Sequence, residues 1–133
     1  MISIEKWQKV FENKIPKSQY EMLLQSGEEE GLLIRLISRK NNVLLKFGAV
    51  SAFRMLDEGI ALNGLFNDEQ LKQFRDTGFD NVIYQVTGGN FDTLIQQIGG
   101  GLYEYLNLKH YVIITKNYIV EVITEWEPEI RFF

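Results

Sequence analysis

The stretch from Tyr111 to Thr124 most narrows the folds open to this chain. Tyr111-Val112-Ile113-Ile114-Thr115 and Tyr118-Ile119-Val120-Glu121-Val122-Ile123-Thr124 are two runs of β-branched and apolar residues parted by Lys116-Asn117. Such residues suit a pleated surface, and near-continuous apolar runs belong to central strands covered on at least one face. A two-residue break between them reads as a tight antiparallel hairpin. With the turn at 116 and 117, positions whose numbers sum to 233 (116 + 117) pair across it. Thr115 then faces Tyr118, Val112 faces Glu121 and His110 faces Ile123, which leaves Glu121 diagonal to His110.

A second hairpin is expected earlier. Leu32-Leu33-Ile34-Arg35-Leu36-Ile37 and Val43-Leu44-Leu45-Lys46-Phe47 flank the polar Ser38–Asn42. Gly48 interrupts the second strand and marks a bulge or bend before Val50–Arg54. Asn67 with Gln70 three residues on predicts a helix to about Asp76 with Leu71 and Phe74 inward. Asn81–Thr87 reads as a strand carrying Val82, Tyr84 and Val86 on one face. Asn90 reads as the cap of a helix that buries Phe91, Leu94, Ile95 and Ile98.

The first 27 residues predict helices. Ile4, Trp7, Val10 and Phe11 recur at helical spacing after a capping Ser3. Pro16 opens a second helix, Ser18 and Glu21 have capping-box spacing, Tyr20, Leu23 and Leu24 form its apolar face, and Gly27 stops it. Helices first and strands after, without βαβ alternation, give an α+β class: N-terminal helices packed on a mostly antiparallel sheet of about five strands. No repeat or linker-like segment divides residues 1–133, so a single domain is expected.

Composition removes several kinds of chemistry. With no cysteine there is no disulfide, thiolate nucleophile, zinc–thiolate site or iron–sulfur cluster. One His leaves most metal sites short of ligands, so neither metal nor cofactor is expected. Fourteen basic against eighteen acidic residues, a net charge of −4, disfavour nucleic acid as a partner. The opening Met-Ile-Ser-Ile-Glu-Lys-Trp lacks the apolar core of a signal peptide, and no apolar stretch approaches the ~18 residues of a membrane span. A cytoplasmic chain that spans no membrane is expected. Nine Phe, six Tyr and two Trp provide bulk for a core.

Five groups of residues bear on function. Gly99-Gly100-Gly101 follows a helix and lacks the Gly-Lys-Ser/Thr of a phosphate loop, so it reads as a helix stop and turn. Gly88-Gly89-Asn90 lies between strand and helix, where a bland turn and an anion site are both open. His110 with Glu121 has the makings of an acid–base pair, but no Ser or Thr stands out as nucleophile, and a structural histidine is the favoured reading. Arg35, Arg39, Lys40, Lys46 and Arg54 concentrate positive charge on the first hairpin and its continuation, either to hold an anion or to keep a sheet from edge-to-edge pairing. Glu121, Glu125, Glu127 and Glu129 are interleaved with Trp126, which suits a basic protein partner. Glu28-Glu29-Glu30 reads as a solvated loop, and Pro128 as the end of the last strand.

Two of these stretches, Val43–Glu58 and His110–Ile130, together resemble small bacterial immunity proteins of polymorphic or contact-dependent toxin systems. The segment Ile4…Ile15-Pro16…Tyr20…Leu23-Leu24 also resembles SUKH-type immunity domains, although the usual Asn-Gly-Gly after the helix is missing. The resemblance implies inhibition by binding, with an acidic face occluding the active site of a toxin, often a nuclease. The expected function is therefore a non-catalytic binding protein of the immunity or antitoxin kind, using Glu121, Glu125, Trp126, Glu127 and Glu129. The alternative is a small-molecule or anion-binding domain using Arg35, Arg39, Lys46 and Arg54. Homodimerisation through a sheet edge also stays open.

Overall fold

The computed structural model describes residues 5–76, 78–101 and 107–133. Among the described residues, nine strands form two antiparallel sheets, and the helices are few and short. The strands are β1 (Lys6–Lys9), β2 (Glu21–Gly27), β3 (Gly31–Ile37), β4 (Asn42–Gly48), β5 (Ala52–Asp57), β6 (Ile83–Thr87), β7 (Lys109–Ile114), β8 (Tyr118–Thr124) and β9 (Glu129–Phe132). A five-stranded sheet runs β1-β6-β7-β8-β5, and a four-stranded sheet runs β2-β3-β4-β9. The helices are α1 (Glu58–Ile60), α2 (Asp68–Arg75) and α3 (Asn90–Ile98), with an irregular helical turn at Ala61–Leu65.

The expected α+β arrangement, with N-terminal helices on one sheet of about five strands, is overturned. Strand makes up 43% and helix 20%, and the segment expected to hold two helices supplies β1 and β2 instead. The physical reason is local. Trp7 is buried between exposed Lys6 and Gln8, a strand alternation, but four residues are too few to display it. Phe11 and Asn13 adopt φ of +54° and +65°, which no helix contains. Pro16 opens no helix; its carbonyl accepts a hydrogen bond from the Tyr20 hydroxyl at 2.6 Å. Ser18 caps nothing, and Glu21 begins a strand that turns Met22 and Leu24 inward and leaves Leu23 half exposed. Gly27 opens the β2–β3 turn, in which the exposed Glu28–Glu30 lie. Ser3 and Ile4 lie outside the described residues.

The later expectations fare better. The first hairpin forms as β3 and β4, and Gly48 ends it at a bulge: Leu32 pairs with Gly48 and Leu33 with Lys46, leaving Phe47 as the extra residue. The next strand, β5, does not extend this sheet; it pairs with β8 in the other. Asn67 caps α2 by accepting from the Gln70 N–H at 3.0 Å, and Leu71 and Phe74 are inward. In α3 the cap falls on Gly89, one residue before the expected Asn90. Phe91 is buried there, but Leu94 and Ile98, expected inward, are exposed. Gly99 closes the helix, and Gly100 and Gly101 follow with positive φ. Pro128 does not end the sheet structure: residues 125–128 carry the chain from β8 across to β9, which pairs with β4.

The core has two layers. One cluster, including Tyr20, Ile34, Leu45, Tyr111, Ile113 and Val120, fills the space between the sheets. The second, built on Trp7, Phe66, Leu71, Phe74, Tyr84 and Val112, lies between the five-stranded sheet and the helical segments. The Glu5 carboxylate knits that layer together, accepting from the Trp7 indole at 3.1 Å and the Asn67 N–H at 2.6 Å. Being covered on both faces explains why β7 and β8 read as apolar runs without alternation. Among the described residues, no helix is long and apolar enough to cross a membrane.

Three tyrosines in these layers set a pH limit. Burial raises the phenols of Tyr20, Tyr84 and Tyr111; Tyr111 is pushed up to about 12, first by burial and then by the charge of Glu127. The unfolded chain ionises them near pH 10. From there to about pH 12 the unfolded state has lost protons that the native state retains, so stability falls as pH rises. An alkaline titration should show these phenols ionising together with loss of the sheet signal in circular dichroism. Ionisation of all tyrosines near pH 10 with the fold intact would contradict it.

Candidate functional site

The register of β5, β7 and β8 assembles a buried polar cluster. Arg54 and Val112 both lie opposite Glu121, and His110 lies opposite Ile123, so all three polar side chains project from the helix-covered face of the sheet. The diagonal reach inferred from the hairpin arithmetic is realised: His110 Nε2 is 2.8 Å from Glu121 Oε1. An ionised carboxylate only accepts, so Nε2 carries the hydrogen of this bond. The other carboxylate oxygen, Oε2, accepts from Arg54 Nε. Glu121 is fully buried and His110 is 2% exposed, whereas Arg54 keeps about a quarter of its side chain in solvent.

The neighbours close this cluster. The Arg54 guanidinium sits 4.4 Å from the Phe91 ring centre, and Phe91 meets the His110 ring edge-on at 6.0 Å. Gly89 is wedged against the imidazole, where a Cβ would come within 2.9 Å of Nδ1. The Gly88-Gly89 turn therefore serves close packing onto His110. Chemically the cluster is a carboxylate compensated by two donors, the arrangement that lets a charge be buried. Glu121 and His110 are sealed from solvent beneath these neighbours.

The acidic aromatic group is divided by the fold. Glu121 points into the cluster just described and is not on the surface. Glu129 lies on β9 and is paired with Arg131, at 2.7 Å to Nη2 and 2.8 Å to Nε. Glu125, Trp126 and Glu127 stay together on the connector between the sheets. Trp126 is 58% exposed although both ends of the connector are fixed: Thr124 and Pro128 are buried, and Thr124 Oγ1 accepts from the Trp126 N–H at 3.2 Å.

The basic group diverges. Arg35 and Lys46 lie on the outer face of the four-stranded sheet, Arg35 with its guanidinium 5.1 Å from the Phe133 ring centre and Lys46 opposite Glu129. Arg54 belongs to the other sheet. Arg39, in the β3–β4 turn, lines a cleft of about 640 Å³ with Lys17, Lys40 and Lys116. No single anion site includes Arg35, Arg39, Lys46 and Arg54. Nothing local connects Lys17 and Lys116 to the first hairpin; only the meeting of three distant segments brings them to this cleft. Among the described residues, no group of three His, Cys, Asp or Glu side chains is placed to hold a metal ion.

No protein-family model, curated protein or solved structure matches the chain.

Proposed function

We propose that this chain is a non-catalytic binding protein that engages a basic protein partner through Trp126 and its acidic neighbours Glu125 and Glu127, as an immunity or antitoxin-like inhibitor does. The observation that carries the reading is Trp126, more than half exposed on a connector anchored at both ends. Tryptophan is the side chain most often found as an energetic anchor of interfaces, because it buries a large area at low entropic cost. Flanking carboxylates steer a basic partner and suppress acidic ones. The absence of catalysis is supported by the burial of His110 and Glu121 beneath Phe91 and Gly89.

The test is co-expression with the products of adjacent genes, followed by purification of any complex. A one-to-one complex with an otherwise toxic product is expected. Within it, Trp126→Ala is expected to weaken binding by at least about 2 kcal/mol, some thirtyfold. Reversal of Glu125 and Glu127 to Lys should slow association most at low salt. If neighbouring products bind equally well to the wild type and to both variants, or do not bind at all, the reading fails.

A further inference from the structure

A second feature is independent of Trp126: the basic cleft at the turn end of the sandwich. Its cations come from three separate parts of the chain. Lys17 lies in the extended segment before β2, Arg39 and Lys40 in the β3–β4 turn, and Lys116 in the β7–β8 turn. The frame beneath them is fixed. The Lys116 N–H donates to the Tyr20 carbonyl at 2.9 Å, joining the β7–β8 turn to the segment before β2. The β3–β4 turn is closed by the Ser38 N–H on the Asn41 carbonyl at 2.9 Å and by the Ser38 hydroxyl, which accepts from the Asn41 N–H at 3.0 Å.

The charges on this frame are largely uncompensated. Among the described residues Arg39, Lys40 and Lys116 form no ion pair within 4.0 Å. Lys17 acts on Asp80 outside the cleft, where it helps Lys9, the main cause, to hold that carboxyl below its usual range. Glu21 is the one acid among the lining residues. Four cations thus line one cleft in a protein of net charge −4. Like charges gathered in this way repel one another unless an anion lies between them.

The geometry points to a binding site for a small polyphosphorylated anion. Lysines supply point charges to phosphate oxygens, and Arg39 supplies a planar fork that fits two oxygens of one phosphate. Ser18 on the wall adds a hydroxyl donor, while the Ser38 hydroxyl donates to the Asn41 carbonyl at 3.1 Å and so stays with the turn. The volume of about 640 Å³ accommodates a chain of two or three phosphates with an organic group attached. Ile37, 39% exposed on the same wall, offers that group an apolar surface.

The experiment uses the full chain at low ionic strength and follows thermal unfolding and calorimetric binding with two probes, inorganic tripolyphosphate and adenosine triphosphate. Both are expected to raise the melting temperature and to bind one per chain, with affinity falling as salt is added. Tighter binding of the nucleotide assigns a role to Ile37; equal binding assigns the site to the phosphate chain alone. The Arg39→Ser, Lys40→Ser double variant should weaken binding at least about tenfold while its unliganded melting temperature holds, because Ser38 and Asn41 still close the turn. A control with the same net charge, Lys46→Ser with Lys72→Ser, removes cations outside the cleft and should bind as the wild type does. Absence of any shift with both probes, or equal loss in the control and the cleft variant, overturns the assignment.

Discussion

Replacing Glu121 with alanine is expected to destabilise the protein by about 3 kcal/mol, the cost of removing one partner of a buried charged cluster. The loss has two parts. Glu121 is fully buried and holds His110 at 2.8 Å and Arg54 on its other oxygen. Its removal leaves a buried imidazole N–H without an acceptor, while Arg54 is pulled back toward solvent and off Phe91. A buried donor stripped of its partner carries its full desolvation penalty. Glu121→Gln should cost less, since its amide oxygen accepts from one of the two donors. Arg54→Ala should also cost less than Glu121→Ala, because the Arg54 side chain is already 27% exposed. Urea unfolding of the three variants checks the ranking, with stability read from the midpoint at constant slope. A Glu121→Ala midpoint equal to that of the wild type would show that the cluster adds nothing to stability.

Gly31→Ala is expected to be at least as damaging, at roughly 3 kcal/mol or more, the sum of backbone strain and overpacking. Gly31 has φ of +72°, a left-handed conformation that costs an alanine about 1–2 kcal/mol. An added Cβ would lie 2.1 Å from the carbonyl carbon and oxygen of Gly48. Those are backbone atoms at the β4 bulge, so relief requires the bulge itself to move. Gly48→Ala is the informative comparison. Gly48 has the same φ of +72° but open space where its Cβ would go, so it isolates the strain and should cost about 1–2 kcal/mol. The difference between the two variants measures the close approach of the β2–β3 turn to the bulge. Equal losses would mean that the turn gives way freely.

Much of the local structure was legible. The Lys116-Asn117 turn sets the register of β7 with β8, and that register alone puts Glu121 diagonal to His110. The Asn67 cap, the inward Leu71 and Phe74, the bulge at Gly48 and the stop at Gly99 were equally plain, since each rests on residues within a few positions of one another. Where the apolar spacing was short, it misled. Trp7, Val10 and Phe11 fit a helical period, yet Trp7 belongs to a four-residue strand and Phe11 to a left-handed turn. Leu94 and Ile98 fit the buried stripe of a helix and are exposed.

The candidate surfaces divide along the same line. That Glu125, Trp126 and Glu127 stand together follows from their adjacency in the chain. That Glu121 leaves them for the interior, and that Glu129 is held by Arg131, depends on β8 and β9 joining different sheets. Likewise the five cations of the first hairpin and its continuation are visible as a group, but their separation depends on β5 leaving β4 for β8. By itself the sequence determined the two hairpins, the register of the second, the cap of α2 and the absence of cysteine chemistry. Only the tertiary structure decided that Lys6–Lys9 and Glu21–Gly27 are strands, which face each charge takes, and that Lys17, Arg39, Lys40 and Lys116 share one cleft. Turns, caps and bulges are set by neighbours along the chain, whereas strand partners and shared surfaces are set by residues far apart in sequence, whose meeting no local pattern encodes.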